Sequence, residues 1–450
     1  MTDAPRLRLP HPLALLTGCV LLAAAASYVV PAGQFDRRVD DASGRTLVVP
    51  GTYQPVEAQP VDFFEAIVAL PRGMLGAGEV IFLVFLIGGA FTVVDESGTL
   101  RRAVASLIRA TSGRDLLVIP VVSLFFATGG VVQNMQEEVI PLIPVLIILC
   151  TRMGFAPLVA VAMSVGSAFV GSAFSPVNPF QVVIAQEVAE VERGSGAEFR
   201  IVFLVLALIL WIGATMRYAA KNRRPPEDTG EDVGDSMTGA DGVILGMVAA
   251  TFAFMVAGMQ LWGWGFNEMS AAFFIMGCAV GVVAKMGVAG TAEAYAKGFR
   301  DMAYAALLIG FARAISTVLE DGLIIDTIVS AMFTPLEDLP RVLSALGMVV
   351  GQALLHVPVP SVSSQAVLTM PILVPLADLL GLSRQVVVLA YQYGAGLCDI
   401  VTPTNGALMA ILAAASVRYE EWMKFAFPLY AALMVLGGVA IAVAIAINLA

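Results

Sequence analysis

The sequence predicts an all-α polytopic membrane protein with two inverted-topology repeats, each interrupted by a re-entrant hairpin and a broken helix. Three observations lead there. The 450 residues are 58% hydrophobic and only 13% charged, with a mean hydropathy of +0.86, which is too apolar for a soluble chain of this length. Two four-residue words, Ser175-Pro176-Val177-Asn178 and Thr402-Pro403-Thr404-Asn405, lie 227 positions apart inside apolar stretches rich in Gly and Ala. Proline removes a backbone donor and clashes with the preceding turn, so each word breaks its helix and frees carbonyls and amides at membrane depth. Such backbone is tolerated where it lines a cavity, and paired broken helices mark a secondary transporter's substrate site.

The third observation is an internal repeat. Leu86-Ile87-Gly88-Gly89-Ala90 answers Leu308-Ile309-Gly310-Phe311-Ala312, and each is followed by an acidic turn, Asp95-Glu96-Ser97-Gly98 and Glu320-Asp321-Gly322. Pro141-Leu142-Ile143-Pro144 answers Pro371-Ile372-Leu373-Val374-Pro375. The offsets of 222, 230 and 227 are nearly constant, and chance rarely supplies four matches in one order at one spacing.

Taken in order, the apolar run Leu13 to Val30 is a retained helix, because its 18 residues exceed a signal-peptide core. A polar stretch, Pro31 to Pro60, then forms an external loop with a small hairpin at the turn signals Ser43-Gly44 and Pro50-Gly51. Apolar pieces follow at Val80–Glu96, Leu116–Thr128, Val139–Arg152, Leu158–Phe174, Phe180–Val188 and Phe199–Tyr218. A second set covers Gly242–Leu261, Met269–Lys285, Ala303–Leu319, Ile324–Phe333, Val342–Leu355, Val367–Leu380, Val386–Ile400, Ala407–Ala415 and Met423–Leu449. A span needs about 20 residues, so Gly129–Glu138 and Pro358–Gln365 read as arms of re-entrant hairpins. The expected domains are 1–60 (first helix and external loop), 61–219 (repeat 1), 220–289 (cytoplasmic linker and connecting helices) and 290–450 (repeat 2). Arg217, Lys221, Arg223 and Arg224 mark the loop after the first repeat as cytoplasmic, and Arg6 and Arg8 place the N-terminus on the same side.

The net charge of −10 comes from acids concentrated in two loops, so it says little about substrate and argues against nucleic acid as a partner. Cys19, Cys150, Cys278 and Cys398 have no short paired spacing, which argues against a disulfide framework or a zinc site. The chain has no H-E-x-x-H, no G-x-S-x-G and only two histidines, so an enzyme is not expected. A channel is disfavoured because inverted hairpin repeats build an alternating-access site.

Residue type then suggests a site. Half-helix N-termini after Pro179 and Gly406 favour a carboxylate, and carbonyls released before Pro176 and Pro403 suit a cation. Ser175, Asn178, Thr402, Thr404 and Asn405, with Gln133, Asn134, Ser363 and Ser364 from the hairpins, offer neutral hydrogen-bonding groups able to hold a zwitterion or a dicarboxylate. Each alone also reads as helix cap or interhelical glue. Glu137 and Glu138 precede an apolar helix, so they are candidates for proton or sodium coupling or for gripping an ammonium, or are first-turn acids facing water. Arg313, inside a span, can bind a substrate carboxylate or pair with Glu320 or Asp399. Asp399 is a candidate cation ligand. His356 can relay protons, although a lone histidine before Pro358 reads more readily as a packing residue.

Gln136-Glu137-Glu138, Ser175-Pro176-Val177-Asn178-Pro179-Phe180, Leu368-Thr369-Met370-Pro371-Ile372, Ser383-Arg384-Gln385 and Thr402-Pro403-Thr404-Asn405-Gly406 resemble the YfcC-like branch of the C4-dicarboxylate anaerobic carrier family. More distantly, they resemble the ion transporter superfamily. The likeness covers nearly the whole chain, including Pro31-Ala32-Gly33. It implies a homodimer in the lipid bilayer, each protomer having a scaffold and an elevator-type transport domain with two hairpins and two broken helices. Relatives carry Ser-Asn-Thr words at the hairpin tips, whereas this chain has Gln133-Asn134-Met135-Gln136 and Ser361-Val362-Ser363-Ser364. The expected function is a symporter or exchanger for a small carboxylate-bearing metabolite, a C4-dicarboxylate or amino acid, with Na+ or H+ as coupling ion and no other cofactor or metal. The expected location is a bacterial inner membrane. A cation/proton antiporter or basic amino-acid exchanger is the alternative.

Overall fold

The computed structural model describes residues 11–39, 46–110, 115–225 and 237–449. Helix α1 (Pro12–Ala26) leads into two small antiparallel pairs, β1 (Gly33–Gln34) with β4 (Gln54–Pro55) and β2 (Arg37–Val39) with β3 (Thr46–Val48). This is the small hairpin expected in the polar stretch. Ser43-Gly44 lies outside the described residues, while Gly51 takes a left-handed φ of 73°. Asp326 ties the segment down, accepting the Phe35 amide at 2.9 Å and pairing with Arg37 at 2.9 Å.

The first half continues with α2 (Phe63–Gly76), α3 (Gly78–Glu96), α4 (Thr99–Ala110) and α5 (Val118–Gln133), followed by a 3-10 turn (Glu137–Leu142) and α6 (Ile143–Arg152). Next come α7 (Pro157–Val161) and α8 (Ser167–Ala173), joined by a π segment (Ala162–Gly166). A second π turn (Pro179–Val183) opens α9 (Ile184–Val188), and α10 (Ala197–Lys221) closes the half. After α11 (Gly239–Trp262) and α12 (Phe266–Val283) come α13 (Gly287–Asp321), α14 (Ile325–Phe333), α15 (Arg341–His356), α16 (Val362–Leu380), α17 (Arg384–Cys398), α18 (Gly406–Ala414) and α19 (Tyr419–Ala446). Among the described residues, eight helices are long and apolar enough to cross a membrane. The chain is thus an all-α polytopic membrane protein.

Five segments differ from the sequence-based expectation. Helices α2 and α4 were not foreseen, because Glu65 and Pro71 interrupt one and Arg101 and Arg102 make the other amphipathic. Helix α13 begins at Gly287 rather than Ala303; Glu293, Lys297, Arg300 and Asp301 hide its first half from a hydropathy reading. At 35 residues it is roughly 50 Å long, more than a bilayer's hydrocarbon core. Gly129–Glu138 and Pro358–Gln365 are tips rather than arms: α5 runs on to Gln133 and turns at Asn134, which is left-handed at φ 58°.

The element order recurs. A helix, a tip, a second helix, a broken helix and a long flanking helix occur as α5 to α10 and again as α15 to α19. Helix α5 packs on α8 as α15 packs on α17, and α10 and α19 flank the two broken helices. Small residues set the α5–α8 contact: a Cβ on Gly130 would sit 2.0 Å from the Ala168 carbonyl oxygen, and one on Gly171 2.2 Å from that of Ala127. Without a hydrophobic drive between helices in lipid, such close backbone approach supplies the packing. Carbonyls freed by the irregular backbone are taken up by tryptophans. Trp211 of α10 donates to Ala162 and Trp422 of α19 donates to Ile400, each at 2.8 Å.

Candidate functional site

Each proline word ends one half-helix and caps the next, with its asparagine as the capping residue. Asn178 Oδ1 accepts the Phe180 and Gln181 amides at 2.9 and 3.0 Å, and Asn405 Oδ1 accepts the Leu408 amide at 2.9 Å. This satisfies donors that would otherwise be orphaned at a helix start. Beyond the caps the words diverge. Asn178 Nδ2 donates to the Gly130 carbonyl at 2.8 Å and to Ser172 Oγ at 3.0 Å. Ser175 donates to the Val131 carbonyl and accepts the Val177 and Asn178 amides. Both side chains are buried and committed to holding the hairpin tip on the broken helix.

The second word opens onto a cavity of about 280 Å³. Asn134, Glu137 and Glu138 from the first hairpin tip reach it, as do Ser363 from the second and Asp399, Thr404 and Asn405 from the break between α17 and α18. Arg313 comes from α13, and α2, α3, α11 and α12 complete the wall. Of the expected residues, Ser175, Asn178, Thr402 and Ser364 do not line it. Thr402 is buried against Cys398 Sγ at 3.0 Å, and Ser364 lines a separate cavity beside Asp326. Thr404 fixes the second tip by donating to the Val357 carbonyl at 2.5 Å.

Two polar groups on the cavity wall, the Arg313 guanidinium and Gln133 Oε1, lack partners among the described residues. Arg313 makes no ion pair among the described residues, so neither Glu320 nor Asp399 neutralises it. Gln133 Oε1 is buried with no hydrogen-bond partner among the described residues, and a buried orphan of this kind calls for an explanation. Asn134 Oδ1 accepts from Ser172 and from Gln181 Nε2, the latter at 3.0 Å.

Asp399 behaves differently. It is almost fully buried and accepts from Asn405 Nδ2 at 2.7 Å and Gln136 Nε2 at 3.2 Å, and it meets His356 Nε2 at 2.8 Å. His356 is wholly buried and continues through Gln365 to Gln352 and Thr369. Sequence reading left Gln136 and the glutamines of α15 and α16 out of the site. For Gln352 and Gln365 the one available signal was an amide side chain inside an apolar helix, while Gln136 lies in the tip between two elements.

A model of the C4-dicarboxylate anaerobic carrier family matches residues 9–446. The chain is 30% identical over 487 aligned positions to the Escherichia coli protein named "Putative basic amino acid antiporter YfcC", covering 97% of this chain and 96% of that protein. It is 29% identical to an uncharacterized Haemophilus influenzae protein, covering 90% and 82%. Solved structures similar to it include the Alcanivorax borkumensis YdaH transporter, with a TM-score of 0.48 at 19% identity over 98% of this chain and 99% of that one. Another is Neisseria gonorrhoeae MtrF, with a TM-score of 0.44 at 18% identity over 97% and 95%. The family match along nearly the full length establishes that this chain belongs to the C4-dicarboxylate anaerobic carrier family of membrane transporters.

Proposed function

We propose that this protein is a cation-coupled secondary transporter, a symporter or exchanger, whose substrate is a small amino acid held in the cavity between the hairpin tips and the α17–α18 break. The observation that carries the reading is Arg313, without an ion pair among the described residues, in the same cavity as Glu137 and Glu138. A guanidinium inside a spanning helix is costly without a counter-ion, and a substrate carboxylate would supply one bidentately. Glu137 and Glu138 would take the substrate ammonium, while Asn134, Ser363 and Thr404 offer neutral contacts and Asn405 positions Asp399 and Gln136 behind them. Two carboxyl groups without a basic partner among the described residues, Glu137 and Glu138, against one guanidinium favour a zwitterion or a cationic amino acid over a C4-dicarboxylate, which presents two negative ends. The similarity to a protein named a basic amino acid antiporter supports the same class.

The repeated element order supports two inverted halves that alternate access to this cavity by an elevator-type movement, in a homodimer. The basic end of α10 supports a cytoplasmic placement for the loop that follows it. Thermal unfolding of the purified protein with L-arginine, L-lysine, L-glutamate and succinate tests the substrate class. L-Arginine or L-lysine should raise the midpoint of the wild type and leave Arg313→Ala unmoved. Stabilisation by succinate alone would contradict it.

A further inference from the structure

We propose that His356 and Asp399 form the proton-binding site through which transport is coupled. This deepens the carrier reading above and rests on it. Gln365 Nε2 donates to the Gln352 carbonyl at 2.7 Å and to Gln352 Oε1 at 2.5 Å. A backbone carbonyl only accepts, so the orientation of the Gln365 amide is fixed and its Oε1 is what faces His356 Nδ1, at 3.0 Å. Nδ1 must therefore carry a hydrogen. The other ring nitrogen, Nε2, faces Asp399 Oδ1 at 2.8 Å.

The carboxyl side is fixed in the same way. The Leu408 amide donates to Asn405 Oδ1, so Asn405 turns its Nδ2 toward Asp399 and toward Gln136 Oε1. Gln136 then presents its own Nε2 to Asp399 Oδ2. A neutral ring with its hydrogen on Nδ1 would point the Nε2 lone pair at a carboxylate lone pair. A 2.8 Å contact between them therefore holds one proton more than neutral imidazole plus carboxylate. Imidazolium with carboxylate and imidazole with carboxylic acid are both consistent with that count.

Position gives this proton a route and a consequence. His356 ends α15 and does not reach the cavity, whereas Asp399 lines it, so the proton enters and leaves through Asp399. The network joins the first hairpin tip through Gln136, the second through His356 and Gln365, and the second break through Asp399 and Asn405. Removing the proton sets two lone pairs against each other and releases His356 from Asp399, loosening the α15–α16 tip beside Ser363 and Thr404. The other ionisable groups around the pair are Glu137 and Glu138 of the first tip, Tyr391 and Cys398 of α17, and Arg313 of α13.

The test uses full-length protein in proteoliposomes with tritiated L-arginine. In the wild type, net arginine movement should respond to an imposed pH gradient. His356→Gln keeps a donor for Asp399 but cannot exchange a proton, so it should lose that response while arginine counterflow at equal pH continues. A dye titration of the purified protein, which needs no substrate, should count a proton fewer released by His356→Gln than by wild type. Asp399→Asn provides the same count if the histidine variant does not purify as a single species. Retention of the gradient response by His356→Gln, an unchanged proton count, or a wild type driven only by sodium would overturn the proposal. Absence of arginine counterflow in the wild type would count against the carrier reading alone, since the titration still decides the pair.

Discussion

Asn178 and Asn405 occupy the same place in their words and answer to different neighbours. Both cap a half-helix, but the Nδ2 of Asn178 is taken by Gly130 and Ser172, while that of Asn405 is turned to Asp399 and Gln136. Asn178→Ala should lower the stability of the purified protein by about 0.5–2 kcal/mol for the cap alone, read as a drop in thermal midpoint. Asn405→Ala should impair arginine transport at near-normal expression. Arg313→Ala removes a charge-assisted contact of about 1.5–3 kcal/mol, so apparent affinity should fall roughly 10- to 100-fold in uptake assays. Glu137→Gln should weaken arginine more than L-glutamate in competition for uptake, and equal losses would clear Glu137 of gripping the ammonium. Capping by both asparagines was legible, since Asn after a proline-broken turn is a capping signal. Which word faces the cavity was not, because that depends on the first hairpin tip packing over Asn178.

At the scale of elements, the hairpins and broken helices are held by close backbone contact more than by bulky side chains. Gly130→Leu drives a side chain into the Ala168 carbonyl, where even a Cβ would lie at 2.0 Å. It should destabilise the protein by about 1–3 kcal/mol or more, seen as a lower unfolding midpoint and loss of a monodisperse peak. Hydropathy and proline placement located the spans around α3, α10 to α12 and α19, and both breaks, because apolar length and missing donors are written in the local sequence. They missed α2, α4 and the first half of α13. Those helices are polar on one face, and their apolar face is recognised only against its neighbours: α2 and α13 pack together, as do α3 and α13.

For the whole molecule, the two words were expected to share one site, whereas the structure brings only the second to the cavity. The first hairpin tip crosses between the halves: Gln136 bonds Asp399 and Asn405 at the α17–α18 break, and Gln392 of α17 donates to the Ser175 carbonyl at 2.8 Å. Repetition of the same element order was readable from constant offsets between matching words. The joining of the halves through buried amides was not, because Gln136, Gln352 and Gln365 have no fixed spacing and gain meaning only when folded. Under the proposed alternating access, a cysteine at Ser363 should change its labelling by a membrane-impermeant thiol reagent when L-arginine is added, and constant labelling would argue for a static wall.

The most direct measurement is counterflow. Proteoliposomes holding the wild-type protein and loaded with unlabelled L-arginine should take up tritiated L-arginine faster than unloaded ones, and Arg313→Ala should diminish the acceleration at the same arginine concentration. Equal uptake by loaded and unloaded vesicles, or undiminished acceleration in the variant, would contradict a carrier site built around that cavity.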